Sequence, residues 1–291
     1  MRAQTTDMHK YTYGLCAALL FLGCKPASVP EGAVQLPKKI RETSGLATFG
    51  QNFLTLNDSG GKARLFEFSS AGEIVAKHKI KGAINRDWED MSQDSLHYYI
   101  ADTGNNYATR KDLTIYITSH QFELQDSIQL RYAPQKKFKK KKKNKYDAEA
   151  LVAYKDSLLI FSKNRKKQTT ELYVLPKVGG AYTLSPRWSL DVHCLITGGD
   201  YDVKNNRVIL TGYLPDFTQY IFSLENFSTK TTEGIRMKRY QLPYDDAQVE
   251  AVVIDDKGKI WISSEGETEN PPFLKEIDLT TLKEVPPHAT N

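Results

Sequence analysis

Residues 85–110 read NRDWEDMSQDSLHYYIADTGNNYATR. An acidic cluster (Asp87, Glu89, Asp90) opens a short strand, Gln93-Asp94-Ser95 turns the chain, Leu96 to Ala101 is a second apolar run, and Asp102-Thr103-Gly104-Asn105-Asn106 closes it. Carboxylate, strand, turn, strand, then carboxylate with Gly and Asn is a structural unit, because Asp, Asn and Gly supply the turns between β-prone stretches.

Four other stretches repeat the unit. The first begins at Glu42-Thr43-Ser44-Gly45-Leu46, continues through Asn52 to Leu56 and Asn57-Asp58-Ser59-Gly60-Gly61, and adds Arg64 to Phe68. Residues 85–110 are the second copy, with Leu113 to Thr118 as its third strand. The third runs from Asp147-Ala148-Glu149 through Ser157 to Phe161 and Glu171 to Leu175. Thr197 to Asp202, Arg207 to Leu210 and Tyr220 to Leu224 make the fourth, and Val249 to Val253, Lys259 to Ser264 and Phe273 to Ile277 the fifth. With Gly45, Glu89, Glu149, Gly199 and Glu250 as marks, the steps are 44, 60, 50 and 51 residues. That period matches a four-stranded propeller blade. Outer strands are expected at Ile74 to Ile80, Ser127 to Tyr132, Arg187 to Val192 and Ile235 to Leu242. The fifth unit has little chain left for one, and Ala33 to Ile40 (AVQLPKKI) resembles the first outer strand, so it is expected to close the ring. The fold class is therefore all-β, a single five-bladed propeller over 33–291, with six blades if two units are merged.

Composition agrees with strands. Apolar residues make up 40% of the 291, with 16 Tyr and 12 Phe, and no long run shows helical spacing. Cys16 and Cys24 lie in the N-terminal segment and Cys194 stands alone in the body, so no disulfide is available to the mature domain. Residues 1–23 combine Arg2 and Lys10 with an apolar run from Tyr11 to Gly23 and read as a signal peptide. Leu20-Phe21-Leu22-Gly23-Cys24 resembles a bacterial lipobox. Cys24 is thus the expected lipidation site, 24–32 a tether, and the expected address the bacterial envelope, as an outer-membrane lipoprotein facing the periplasm or the surface.

In a propeller the loops entering inner strands and leaving second strands share one end of the ring. Entering are Asp87, Glu89, Asp147, Glu149, Asp200 and Glu250; leaving are Asp58, Asp102, Lys163, Asn164, Tyr213 and Glu265. The entering six are candidate metal ligands, and Asp58, Asp102, Asn105, Lys163, Arg165, Tyr213 and Glu265 are candidate ligand-binding residues. Asp and Asn before Gly also make Asx turns for purely structural reasons. Converging carboxylates repel unless a cation sits among them. Calcium suits loose all-oxygen coordination, and Lys163, Arg165 or Arg110 are the rival neutralising charges.

The same residues carry a family resemblance. Glu42-Thr43-Ser44-Gly45-Leu46, Asn57-Asp58-Ser59, Leu65-Phe66-Glu67-Phe68 with Ala71-Gly72-Glu73, and Asp87-Trp88-Glu89-Asp90-Met91 resemble the start of the SdiA-regulated and phytase-like β-propeller group. Asp147-Ala148-Glu149-Ala150 and Gln248-Val249-Glu250-Ala251 look like further copies. The resemblance implies a propeller, often periplasmic or surface-located, with room for calcium. It does not by itself imply phosphatase or esterase activity.

Lys136 to Lys145 (KKFKKKKKNK) holds eight lysines in ten residues and lies between the second and third units. The signal segment contributes a net single positive charge; without it and the eight lysines the formal +5 becomes −4. The run reads either as a solvated, extended insertion or as a patch for anionic headgroups, polyanions or acidic glycans. With one interleaved aromatic, Phe138, it argues against nucleic acid. No Gly-x-Ser-x-Gly, His-Glu-x-x-His, Cys-x-x-Cys or phosphate-loop pattern occurs. Trp88, Trp188 and Trp261 are expected between blades, with Trp88 near enough to the acids to meet a ligand. Two functions fit: a lipid-anchored monomer binding an anionic ligand or an envelope protein on its acidic face, or a metal-assisted hydrolase of phosphate esters or lactones.

Overall fold

The computed structural model describes residues 29–58, 60–244, 247–266 and 270–286. The expected signal peptide, Cys24 and the first part of the expected tether lie outside them. β1 (Val34–Gln35) and a 3-10 turn (Lys38–Ile40) precede the first blade, β2 (Thr43–Phe49), β3 (Asn52–Asn57), β4 (Arg64–Phe68) and β5 (Ile74–Lys79). The second is β6 (Asp90–Gln93), β7 (His97–Asp102), β8 (Leu113–Ser119) and β9 (Leu124–Tyr132). The third contains β10 (Ala148–Tyr154), β11 (Ser157–Ser162) and β12 (Thr169–Pro176); β13 (Gly180–Leu184) leaves it, and β14 (Trp188–Asp191) completes it. β15 (Leu195–Asp202), β16 (Arg207–Tyr213), β17 (Gln219–Glu225) and β18 (Arg236–Gln241) form the fourth. β19 (Gln248–Ile254), β20 (Ile260–Glu265) and β21 (Phe273–Ile277) form the fifth, and β22 (Lys283–Val285) is last. The protein is a five-bladed propeller.

β1 closes the ring as the fourth strand of the last blade, pairing Val34 with Leu274 and Gln35 with Phe273. Leu36 N–H then donates to Pro272 O at 2.8 Å, and Leu36 and Ile40 are buried in the core between the last and first blades. Only Val34–Gln35 of the expected closing segment is strand; Lys38–Ile40 turns into β2. Among the described residues all strand pairings, the closing one included, lie between Val34 and Val285, a span that residues 29–291 contain.

Two edge strands have no counterpart in the sequence reading. β13 crosses to pair in parallel with β9 of the second blade, Tyr182 opposite Leu130. β22 docks on β18 of the fourth blade, Tyr240 opposite Glu284. Each covers an outer edge that would otherwise offer unpaired backbone groups.

The core is divided into five apolar clusters, one at each interface between neighbouring blades. A blade's two faces are both buried, which is why β11 reads as a nearly unbroken apolar run, SLLIFS. Leu158 and Ile160 pack toward the second blade, whereas Leu159 and Phe161 pack toward the fourth. Trp88 is fully buried between the first and second blades, its Nε1 donating to Ile84 O at 2.9 Å. It is a core residue and does not reach the acidic cluster's open side. Cys194 lies in the core between the third and fourth blades.

Candidate functional site at the channel mouth

Each inner strand breaks register near its start. The irregularity falls at Glu149 in the third blade, Thr197 in the fourth, Glu250 in the fifth and Ser44-Gly45 in the first. In the second blade Glu89 N–H and the Asp90 pairing both converge on Ala101. A bulge places an extra residue opposite one partner and re-aims its side chain. It gives Glu89, Glu149 and Glu250 equivalent positions at one end of the channel. In the fourth blade that position is Thr197, two residues before the sequence mark Gly199, so the fourth blade brings no carboxylate there.

Carboxylates collect where the bulges aim them. Oxygens of Asp58, Asp87 and Glu89 lie within 4.8 Å of one another, and so do oxygens of Glu89, Asp147 and Glu149, which makes Glu89 common to both groups. Glu89 is 5% exposed, and its carboxylate makes no hydrogen bond among the described residues. Gly104 passes so close that a Cβ there would collide with Glu89 Oε1 and Asp87 Oδ2. The turn 102–106 was legible as a turn; that its glycine walls the acids was not, since close approach leaves no mark beyond the glycine itself.

Cations sit on one side. Lys163 Nζ, 2% exposed as a residue, donates to Glu149 Oε2 and to Tyr213 Oη at 3.1 Å, and lies over the Tyr213 ring. Arg165 Nε donates to Asp147 Oδ2 at 2.8 Å, and its Nη2 reaches Glu149 Oε1 at 3.2 Å and Asn106 Oδ1. Arg110 pairs with Asp102 Oδ1 at 2.9 Å and donates to Gly104 O, and its charge partly offsets the repulsion on Asp87.

The electrostatic consequence is uneven. Burial raises the pKa of Glu89 well above the usual carboxylate value, with Glu149, Asp58, Asp147 and Asp87 adding to it. Burial likewise raises Asp87 to about 6 and Glu265 to about 9, with Asp58 and Glu250 the respective leading charges. Glu250 is raised by burial against the pull of Lys163. Burial opposes the Lys163 charge, but Glu149 and Glu250 outweigh it and keep the ammonium protonated. Asp58, Asp87, Glu89, Asp147, Glu149, Glu250 and Glu265 therefore share the mouth with Lys163 and Arg165 as the cations in contact among the described residues.

Other residues singled out from the sequence have backbone roles. Asp102 Oδ1 accepts Asp87 N–H at 3.0 Å. Asn105 N–H donates to Asp147 Oδ1 at 2.7 Å and its side chain to Tyr146 O, fixing the loop to the third blade. Asp200 stands outside the carboxylate groups: it is three residues past the fourth-blade bulge, and its two oxygens accept Ile254 N–H and Tyr201 N–H, each at 2.8 Å. Ser92 makes the matching bond to Ala153 N–H from the second blade. An aspartate here bridges adjacent inner strands, and burial raises it to about 7.

No protein-family model matches the sequence, and no curated protein aligns with it significantly. Solved structures match the fold. An exo-β-1,3-galactanase from Phanerochaete chrysosporium superposes with a TM-score of 0.53 at 11% identity, covering 83% of this chain and 62% of that one. A putative glucose dehydrogenase from Thermus thermophilus gives 0.47 at 9% identity over 84% and 99%, and a protein of unknown function from Bacteroides caccae 0.43 at 12% over 81% and 77%. The chain thus spans less than two thirds of the galactanase. At these identities the likeness is one of fold, and the fold to which this chain is similar is the β-propeller.

Proposed function

We propose that the chain is an envelope propeller of the SdiA-regulated and phytase-like group, held at an outer membrane by a lipid on Cys24. Its channel mouth binds calcium together with an anionic ligand or a partner protein. The observation that carries the cation is Glu89, a buried carboxylate with no hydrogen-bond donor among the described residues, shared between two carboxylate groups. Such a group must be protonated or matched by positive charge. The donors are all hard oxygens, the set that suits calcium rather than softer metals. A bound ion would supply a positive centre with coordination positions open to an anion. Lys163 and Arg165 hold Glu149 and Asp147 in place, and Gly104 leaves the acids room.

The neighbouring Lys163, Arg165 and Tyr213 supply donors for an anionic group beside the proposed ion, which keeps hydrolysis of phosphate esters or lactones as the second reading. Calorimetric titration of calcium into residues 29–291 tests the first. Binding near or below micromolar, lost in a Glu89→Gln, Glu149→Gln double variant, is the expected result. No heat, with a melting temperature indifferent to chelator, overturns it. Turnover of aryl phosphates or lactones that chelator abolishes would establish the second.

A further inference from the structure

The lysine run is a built ledge. Lys141 N–H donates to Tyr107 O at 2.9 Å, Asn144 Nδ2 to Asn106 O at 3.0 Å and to Lys141 O, and Gln135 Nε2 to Ala108 O at 2.9 Å. Asn144 and Gln135 are buried. Lys140 lies over the Tyr107 ring and Lys111 over Phe138. Lys145 pairs with Glu171 at 3.0 Å, but Lys136, Lys137 and Lys139 to Lys143 are exposed and pair with no acid among the described residues. Seven like charges borne side by side repel, and an external anion would relieve that.

The ledge borders the mouth, and its position follows from topology. The 133–147 connection leads into inner strand β10, and the 103–112 loop that pins it follows second strand β7, so both lie on the mouth face. Asn106 joins the two sites: its carbonyl accepts Asn144 and its side chain accepts Arg165.

The chain also enters from this face. Val29 and Pro30 line a cleft with Pro243, Tyr244, Glu265 and Phe273, which belong to mouth-face connections of the fourth and fifth blades. Cys24 is five residues before Val29, so extended chain would hold them within about 17 Å. Tether entry and lysine ledge lie on opposite sides of the mouth.

We propose that the mouth face docks flat on an anionic bilayer, with the lysine ledge gripping phosphate headgroups across the ring from the lipid anchor. The orientation rests on the proposed anchor at Cys24. A diacyl or triacyl anchor at Cys24 would hold the chain at a membrane without fixing which face meets it, and a polybasic patch, drawn to an anionic surface, supplies that orientation. The mouth carboxylates are set back from the lysines: Glu89, Asp147, Glu149 and Glu250 are buried and Asp58, Asp87 and Glu265 half-buried, whereas the lysines project.

The test uses residues 29–291, without an anchor, and vesicles of phosphatidylcholine with or without phosphatidylglycerol, in chelator. Sedimentation with the anionic vesicles only, lost at high salt, is expected. Combining Lys139→Gln, Lys140→Gln, Lys141→Gln, Lys142→Gln and Lys143→Gln should weaken it at least about tenfold. Thr109→Cys beside the ledge should become shielded from an impermeant maleimide on binding, and Val203→Cys, on the opposite face, should not. Equal binding to both vesicles, none to either, an unaffected lysine variant, or shielding at Val203→Cys overturns the proposal. So does binding of a soluble acidic glycan with no vesicle binding. The mass of the mature N-terminus of the full chain, with Cys24→Ala beside it, reads the anchor separately: an unmodified chain that still docks through the ledge removes the anchor alone.

Discussion

Glu89 and Asp90 are adjacent, acidic and buried, and the fold treats them oppositely. Asp90 accepts Leu151 N–H at 2.8 Å and Met91 N–H at 2.7 Å, with the Gly199 amide a third donor. It fastens the second blade's inner strand to its neighbours. Glu89, at the bulge, meets other carboxylates. The difference is one residue of register. Where strand pairing is regular a buried acid finds amides; where the bulge turns the side chain outward it finds its equivalents from other blades. Burial alone therefore does not separate a structural carboxylate from a functional one, and the partner census does.

The largest expected effect comes from leaving a paired acid without its partner. Lys163→Met leaves Glu149 with Arg165 alone and should cost about 3–5 kcal/mol in chemical denaturation, the usual result of removing one side of a buried pair. Asp90→Ala strands buried amides and should cost about 3 kcal/mol. Glu89→Gln should lose no stability, and at pH 8 without added cation it should gain some, because the amide removes a charge that burial and repulsion disfavour. Equal losses in Asp90→Ala and Glu89→Gln would erase the distinction.

The pH dependence sharpens the same contrast with a smaller effect. Asp87 and Glu265, at about 6 and about 9 in the fold, are raised above their unfolded values. Their contribution is fully present below about pH 4 and is lost as pH rises through those folded values. Melting temperature should decline between pH 5 and 9 in chelator and stay flatter with calcium, whose binding should release protons near neutrality. Asp94 has the opposite sign: burial opposes its charge, but bonds from Lys177, Leu96, Tyr99 and His97 hold it at about 2. Its contribution is present above about pH 4 and is lost as pH falls toward 2. A melting temperature unchanged from pH 5 to 9 in chelator would contradict the mouth electrostatics.

The blades were legible because their signals are local. Apolar runs such as Ser157–Ser162, bounded by Asp, Asn and Gly turns, specify hairpins wherever they occur, and Val34–Gln35 was found as the closing strand because it resembles an outer one. The bulges left no such trace. They shift register within an unbroken β-prone run, so the fourth-blade mark fell on Gly199 rather than Thr197, and Asp200 looked like a mouth residue. β13 pairs in parallel across a blade boundary, with no turn to announce it. The lysine ledge depends on Asn144 and Gln135 reaching backbone carbonyls in another loop, a tertiary contact that composition does not encode. The acids could be placed at one end of the ring from the repeat, with Lys163 and Arg165 among the charges that neutralise them, but which acid each would take could not.

The clasp between Val34–Gln35 and Phe273–Leu274 gives the ring a mechanical fuse. β1 adds two paired residues where the other blades contribute whole outer strands, and it is the first strand met by tension entering from the N-terminus. Tension carried along residues 29–33 would load this seam before any other, and parting it would break the circle without breaking a hairpin within any blade.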